Sequence, residues 1–299
     1  MGPLFYITMG IILIIAVIVV LLVRSNWELK HFLVKKFQID ADVKMECHFV
    51  VISDLHNNEF GKDNEHLLNA IDNINPEFVC IAGDILTGSK NADNKVAAHF
   101  VASLAKKRKV YYGYGNHEGR MQNSTEEYGD AFERYLELIS KYAKEMQSAD
   151  NIIFLNNKVN DLSEYNIRLL GLDIEPGYYN KIKRKEMNSE FIEYSLGLVD
   201  NSKYNILIAH HPRFFKAYSD YGADLVIAGH YHGGTVRMPG FGGCIATDFR
   251  LFPKFEKGMY KMKKTIMLVS GGLGTHTINV RLFNQPEVLE VVLKPREQV

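Results

Sequence analysis

Five short apolar runs in this chain of 299 residues each end on a polar cluster of the same character. The clusters are Asp54 and His56 in SDLH, Asp84 in AGD, Asn116 and His117 in GNHE, His210 in AHHP, and His230 and His232 in AGHYH. The runs before them, HFVVIS at 48–53, FVCIA at 78–82, VYYGY at 110–114, NILIA at 205–209 and DLVIA at 224–228, are short and rich in β-branched or aromatic residues. That composition predicts buried strands, and TIMLVS at 265–270 reads the same way. In α/β architectures ligands collect beyond the carboxyl ends of the strands. Five such ends, each bearing ligand-type side chains, can meet only if the strands deliver them to one rim.

Between the strands the periodicity changes to that of helices. Leu67, Leu68, Ala70, Ile71 and Ile74 share one face, as do Val96, Phe100, Val101 and Leu104. A longer helix is expected at about 125–146, with Phe132, Leu136 and Ile139 on its stripe, and another at 190–198; Pro76 stops the first helix. Strand–helix alternation predicts an α/β domain with layered sheets and outer helices.

Bulk properties remove several function classes. Formal net charge is +0, which supplies no field to gather nucleic acid, so none is expected as a partner. The three cysteines, Cys47, Cys80 and Cys244, are far apart and form no CxxC pair, which argues against a zinc ribbon or a disulfide framework. No GxxxxGK[ST] sequence is present, so ATP-driven chemistry has no support.

Residues 4–23 contain no charge and are dominated by Ile, Val and Leu. Such a run matches the ~20 apolar residues that cross the ~30 Å hydrocarbon layer as a helix. A cleaved signal peptide is the rival reading. Against it, Met1-Gly2-Pro3 carries no Lys or Arg, and no small-x-small site follows the run. Trp27 stands where an interfacial aromatic is expected. The expectation is a retained single-pass anchor at 1–25 in the cell membrane, a juxtamembrane connector at 26–46 and a catalytic domain at 47–299. Arg24, Lys30, Lys35 and Lys36 follow the apolar run, and the positive-inside rule then places the domain on the cytoplasmic side of the bilayer.

The donors suit a pair of divalent cations. Asp84, behind Gly83, is placed to bridge two ions, and the glycine lets the backbone approach closely. Asp54 and His56 alternate along an expected extended segment and so point to one side; His230 and His232 repeat that spacing. Asn116 offers a carbonyl oxygen and His210 an imidazole. The mixture of oxygen and nitrogen without thiolate suits Mn, Fe or Zn better than Ca. His117, beside a ligand, is the spare imidazole that stabilises phosphoryl oxygens or protonates a leaving group.

The order DxH, GD, GNHE, H, GHxH resembles the calcineurin-like metallophosphoesterase superfamily from about His48 to the end of the chain. The stretches HGGTVRMP at 232–239, GGLGTHTINVR at 271–281 and NQPE at 284–287 are similar to its membrane-associated bacterial branch, the YkuE and YaeI phosphoesterases. The resemblance implies a four-layer α-β-β-α sandwich, here with an N-terminal transmembrane helix. It implies one metal on Asp54, His56, Asp84 and His232, the other on Asp84, Asn116, His210 and His230, and His117 as catalytic. Two departures stand out. The branch often has a twin-arginine signal, absent here, and Glu118 follows His117 where much of the superfamily has Asp.

The expected activity is hydrolysis of a phosphomonoester, phosphodiester or pyrophosphate by metal-activated water, with a small-molecule or lipid-linked substrate of the envelope. A membrane-tethered nucleotide phosphodiesterase is the alternative, and a non-catalytic scaffold of the same fold a minor third. Ordinary structural roles are expected for His31, His66 and His99, a loop role for His276 and a hydrogen-bonding role for Asp173. His211 is expected behind or beside the site, with His210 the ligand of that pair. The basic run KIKRK at 181–185 is expected to be a solvated face. Tyr178, Tyr179 and the segment 249–255 are expected in loop packing or as an apolar rim to the cleft.

Overall fold

A computed structural model describes residues 2–234, 236–238, 240–244, 250–275 and 279–296. Among these residues two six-stranded sheets face each other. The first contains β1 (Leu33–Ala41), β2 (Cys47–Ile52), β3 (Phe78–Ala82), β4 (Lys109–Gly113), β5 (Ile152–Phe154) and β14 (Glu287–Pro295). Its order is β1-β14-β2-β3-β4-β5, with β2 through β5 parallel and β14 antiparallel to β2. The second contains β6 (Lys158–Leu162), β7 (Ile167–Leu172), β8 (Tyr204–Ala209), β9 (Leu225–Ala228), β12 (Gly258–Met262) and β13 (Thr265–Val269). Its order is β12-β13-β9-β8-β7-β6, parallel from β13 to β7. A short hairpin, β10 (Arg237–Met238) and β11 (Gly242–Gly243), follows the last histidine cluster.

Alternation along the central strands builds the layers. Phe49 and Val51 of β2 join Cys80 of β3 and Tyr111 of β4 in a core shared with Leu169, Ile206, Ile208 and Ile227 of the second sheet. Their neighbours Val50, Ile52, Val79 and Ile81 point the other way, since successive side chains alternate across a strand. They pack on Leu67 and Ile71 of α2 (Glu65–Ile74), Phe100 and Leu104 of α3 (Lys95–Ala105), and Phe132, Tyr135 and Ile139 of a long helix at Ala131–Glu145. The outer face of the second sheet, with Leu170, Leu207 and Val226, is covered by Ile192, Phe215 and Tyr218 from helices Ser189–Leu196 and Phe215–Tyr221. The result is the α-β-β-α order of layers. The strands read from sequence match within a residue or so. Cys47 and Cys80 are buried in the core between the sheets.

Helix α1 (Pro3–Lys30) is long and apolar enough to cross a membrane, and its most apolar stretch is exposed throughout. The segment expected as a connector differs from a spacer. The helix continues without a break to Lys30, and residues 33–41 form β1, paired in parallel with β14 at the edge of the first sheet. The lysines at 35 and 36 hid this strand from a hydrophobic-pattern reading; they are exposed on an edge, where lysine discourages pairing with another chain.

Candidate metal centre

The parallel strands β2, β3 and β4 of one sheet and β8 and β9 of the other end at the same rim. Asp54 and His56 follow β2, Asp84 follows β3, Asn116 follows β4 and opens α4 (Asn116–Asn123), His210 follows β8, and His230 and His232 follow β9. The loops interlock through their backbones. Asp54 N donates to Gly83 O at 3.0 Å, His56 N to Asp84 O at 3.1 Å and Gly229 N to His210 O at 2.9 Å. Gly83 has φ +88, and a Cβ there would lie 2.4 Å from Gly115 N, so the approach of the β3 and β4 loops excludes any side chain.

The expected extended alternation of Asp54 with His56 and of His230 with His232 does not occur. Asp54, His56, Asp84, His230 and His232 all sit at positive φ, between 48 and 71. The side chains of each pair converge because the backbone turns through the left-handed region twice. Such a conformation is costly for a residue with a side chain, by about 1–3 kcal/mol each, and clusters where surrounding structure enforces it for function.

All seven expected ligands, and His117, are buried and close together. His56 Nε2 faces His232 Nε2 at 3.1 Å, and His232 Nε2 lies 3.3 Å from Asp54 Oδ1. Asp84 Oδ2 lies 3.2 Å from His210 Nε2 and 3.9 Å from the Nε2 atoms of both His56 and His117. Three groups of donors close enough to share an ion result: Asp54 with His56 and His232, His56 with Asp84 and His117, and Asp84 with His210 and His230. Their chemistry fits a divalent cation. Among the described residues Asn116 Oδ1 is buried with no hydrogen-bond partner. Buried polar atoms are normally satisfied, and an ion beside Asn116 would satisfy it.

The far side of each ring is held. His210 Nδ1 bonds Ala82 O at 2.6 Å and His232 Nδ1 bonds Gly274 O at 3.2 Å, which turns both Nε2 atoms inward. His117 Nδ1 accepts from Gly88 N at 2.7 Å, so a proton on the neutral ring resides on Nε2. Electrostatics push most of the donors toward the states that a cation needs. Burial alone would raise Asp54, but His232 and His210 bring it down to about 2. Asp84 is held well below its usual range against its burial, chiefly by His210 and His117. Burial, followed by neighbouring imidazoles, pushes His56 and His230 well below the usual histidine value. Burial also opposes charge on His210, yet Asp84 and Asp54 carry it up to about 10, so this ring takes up the positive charge that the two carboxylates call for. Ionised carboxylates and neutral imidazoles are the ligand forms, and binding of a cation would release the His210 proton.

Glu118 is a support to which the sequence motifs alone assign no role. It is fully buried, and its carboxylate accepts from Asp84 N, Gly115 N, Ile85 N and the Tyr112 hydroxyl at 2.7 to 3.1 Å. Burial and the Asp84 charge push it up to about 7. An acid three residues into a helix, after a glycine N-cap, is the sequence signal for this bond to Gly115 N. Arg120 and Lys181 line the same cleft as His56, Asp84, Asn116, His117, His230 and His232. One residue of the basic run therefore reaches the site, while Ile182 is exposed. Tyr179 is buried against His210, His211 and His230. His211 stacks on Tyr179, packs against His230 at 4.3 Å and accepts from Arg213 N. His31 stacks on Trp27 and His99 packs on Tyr142, both away from the cluster. His276 and Phe249 lie outside the described residues.

A family model of calcineurin-like phosphoesterases matches residues 47–234. Among curated proteins the chain is similar to an uncharacterized metallophosphoesterase, YkuE of Bacillus subtilis, at 23% identity over 82% of this chain and 78% of that one. It is also similar to the UDP-2,3-diacylglucosamine pyrophosphatase LpxG of Chlamydia muridarum, at 22% identity over 89% of this chain and 87% of that one. Among solved structures, the NAD nucleotidase NadN of Haemophilus influenzae aligns with 77% of this chain at 15% identity and TM-score 0.40. The chain spans about half of NadN, 46%.

Proposed function

This chain belongs to the calcineurin-like phosphoesterase family and is a metal-dependent phosphoester hydrolase, and from that premise we propose that it works at a membrane surface, with two divalent cations, on a phosphoester or pyrophosphate linkage of a lipid-linked molecule. One observation carries the dinuclear reading. Asp84 Oδ2 lies within 3.9 Å of imidazoles from two separate donor groups, so one carboxylate serves both. Asp54, His56, Asp84 and His232 would hold one ion; Asp84, Asn116, His210 and His230 would hold the other. Bound there, two such ions supply Lewis acidity toward the attacking water and the phosphoryl oxygen.

The chain's own groups do the rest. His117, with its Nδ1 engaged by Gly88, presents Nε2–H for the phosphoryl or leaving oxygen. Arg120 and Lys181, cations lining the same cleft, attract the remaining phosphate oxygens. The apolar surface of α1 and the likeness to a pyrophosphatase of an acylated nucleotide sugar support the membrane setting and the substrate class. Arg24, Lys30, Lys35 and Lys36 after the apolar run favour the cytoplasmic face. The catalytic unit starts at β1 rather than at residue 47, since β1 belongs to the first sheet.

The test uses the full chain in detergent, stripped of metal and titrated with Mn²⁺ against p-nitrophenyl phosphate and bis-p-nitrophenyl phosphate. Mn²⁺-dependent release from at least one ester is expected, and no release from either at any Mn²⁺ concentration counts against the hydrolytic site. A UDP-sugar with and without acyl chains then tests the substrate class. Faster cleavage of the acylated form is expected, and equal rates would remove the lipid from the proposal.

A further inference from the structure

The end of α1 is buried in an unexpected way. Along a helix that is otherwise mostly exposed, Ser25 and Glu28 are buried, Glu28 at 0% exposure. A carboxylate loses its hydration when buried and needs compensating bonds. Glu28 has them from the segment 281–284: Oε1 accepts from Phe283 N at 3.1 Å and Oε2 from Asn284 N at 2.9 Å. Ser25 Oγ accepts from Arg281 N at 3.1 Å. Arg24 pairs with Glu28 at 2.7 Å and lies over the Phe283 ring at 5.0 Å. The segment 281–284 is thus clamped onto the last two turns of the helix.

From that segment, two paths reach His232. Asn284 Nδ2 donates to His232 O at 2.6 Å. The buried Arg281 guanidinium donates through Nη2 to Gly271 O at 2.9 Å and to Gly274 O at 2.6 Å. Gly274 O is the same oxygen that orients His232 Nδ1 at 3.2 Å, and Gly274 N donates to Asp54 O at 2.6 Å. A fully buried acid on the apolar helix is therefore two hydrogen bonds from the backbone of His232, and the parallel path through Arg281 fixes the ring and the Asp54 loop.

We infer that the last two turns of α1 are part of the metal site, with Glu28 a positioning residue that sets His232 through Asn284. This rests on His232 being a ligand, as proposed above. The apolar helix then does more than tether. Its end is built into the support of the Asp54–His56–His232 group, and loss of that support should appear first in metal affinity. Outer partners of metal ligands commonly change affinity or activity by about 10–100-fold when removed.

The experiment uses the full-length protein in detergent with the variants Glu28→Ala, Glu28→Gln, Asn284→Ala, the double Glu28→Ala/Asn284→Ala, and His232→Ala. Two quantities are read: the Mn²⁺ concentration for half-maximal hydrolysis, and the rise in Tm when Mn²⁺ is added to metal-free protein. Glu28→Ala should raise the Mn²⁺ requirement at least tenfold and shrink the Tm rise, with kcat largely restored at saturating Mn²⁺. Asn284→Ala should do the same, and the double variant should be little worse than either, because both break one path. Glu28→Gln, which keeps one acceptor, should fall between. A Glu28→Ala protein with a lower metal-free Tm but an unchanged Mn²⁺ requirement and Tm rise would reduce Glu28 to a structural strut and overturn the inference, as would fully additive effects in the double variant. An unaltered Mn²⁺ requirement in His232→Ala would instead show that the ligand assignment had failed.

Discussion

At Gly88 the absence of a side chain matters through its neighbour: a Cβ would lie 2.4 Å from His117 Nδ1. Gly88→Ala should push the imidazole out of register while leaving the metal ligands in place. The expected result is a kcat lower by about 10–100-fold, since a displacement near 1 Å can cost that much, with unchanged metal content by elemental analysis. His117→Ala should go further, losing about 10²–10⁴-fold in kcat, as expected for removal of a proton-transfer group, again with the metals retained. Retained turnover in His117→Ala would transfer the proton to another group. These residues were visible in the sequence as types and spacings. How they converge was not: a DxH spacing looks the same in an extended strand and in a doubled left-handed turn, and only the tertiary packing of Gly83 and Gly229 against the neighbouring loops selects the turn.

Helix α4 shows how an element rather than a residue builds the site. Its first residues carry Asn116 and His117, and Glu118 ties its N-terminus to the β3 loop through the backbone N–H groups of Asp84 and Ile85 while also accepting from its own N-cap, Gly115 N. Glu118→Gln would set an amide N–H against those donors and should lower stability by about 1–3 kcal/mol, the range for leaving buried polar groups unpaired, measurable by urea unfolding. Farther away, β6 is fastened to β7, and to the turn before β8, by Asp161 with Arg168 and Lys203. Hydrogen bonding to Arg168, opposed by burial and reinforced by Lys203, holds Asp161 down to about 2. A depressed acid contributes stability above its unfolded pKa, and the contribution fades as pH falls from about 4 toward 2. Asp161→Asn should therefore flatten the loss of stability over that window, by under about 1 kcal/mol because the pair is partly exposed. The buried strands β2, β3, β4, β8, β9 and β13 were legible because they are short apolar runs, whereas the buried β14 was missed because Glu287, Glu290 and Lys294 interrupt its apolar residues. β1, β6 and β12 were not, since these edge strands mix charged and apolar residues and carry a weak period-two signal, and β5, though apolar, is only three residues long. The acid at position 118 was noted only as a departure from a pattern, and its burial depends on Tyr112 and the β3 loop, which no local spacing reveals.

Across the whole molecule, the cluster joins the two sheets. Asp54, Asp84 and Asn116 come from one, and His210, His230 and His232 from the other. Ions held between the two sheets, as proposed, would bind the folded state alone, so saturation at 100 times Kd should add about 2.7 kcal/mol per site. Chelation should accordingly lower Tm, and Mn²⁺ should restore it. The chain order of the clusters foretold this convergence, because strand ends of a layered α/β fold share one rim. The docking of α1 onto residues 281–284 was not foretold. An apolar run announces a span by length and composition, whereas the burial of Ser25 and Glu28 depends on a loop more than 250 residues away. The most direct test of the two-ion site is metal stoichiometry in the wild type beside Asp84→Asn, which keeps an acceptor for His117 N while removing the shared charge. Two ions per wild-type chain and neither retained by Asp84→Asn are expected; one ion in the wild type, or two in the variant, would contradict a carboxylate shared by both.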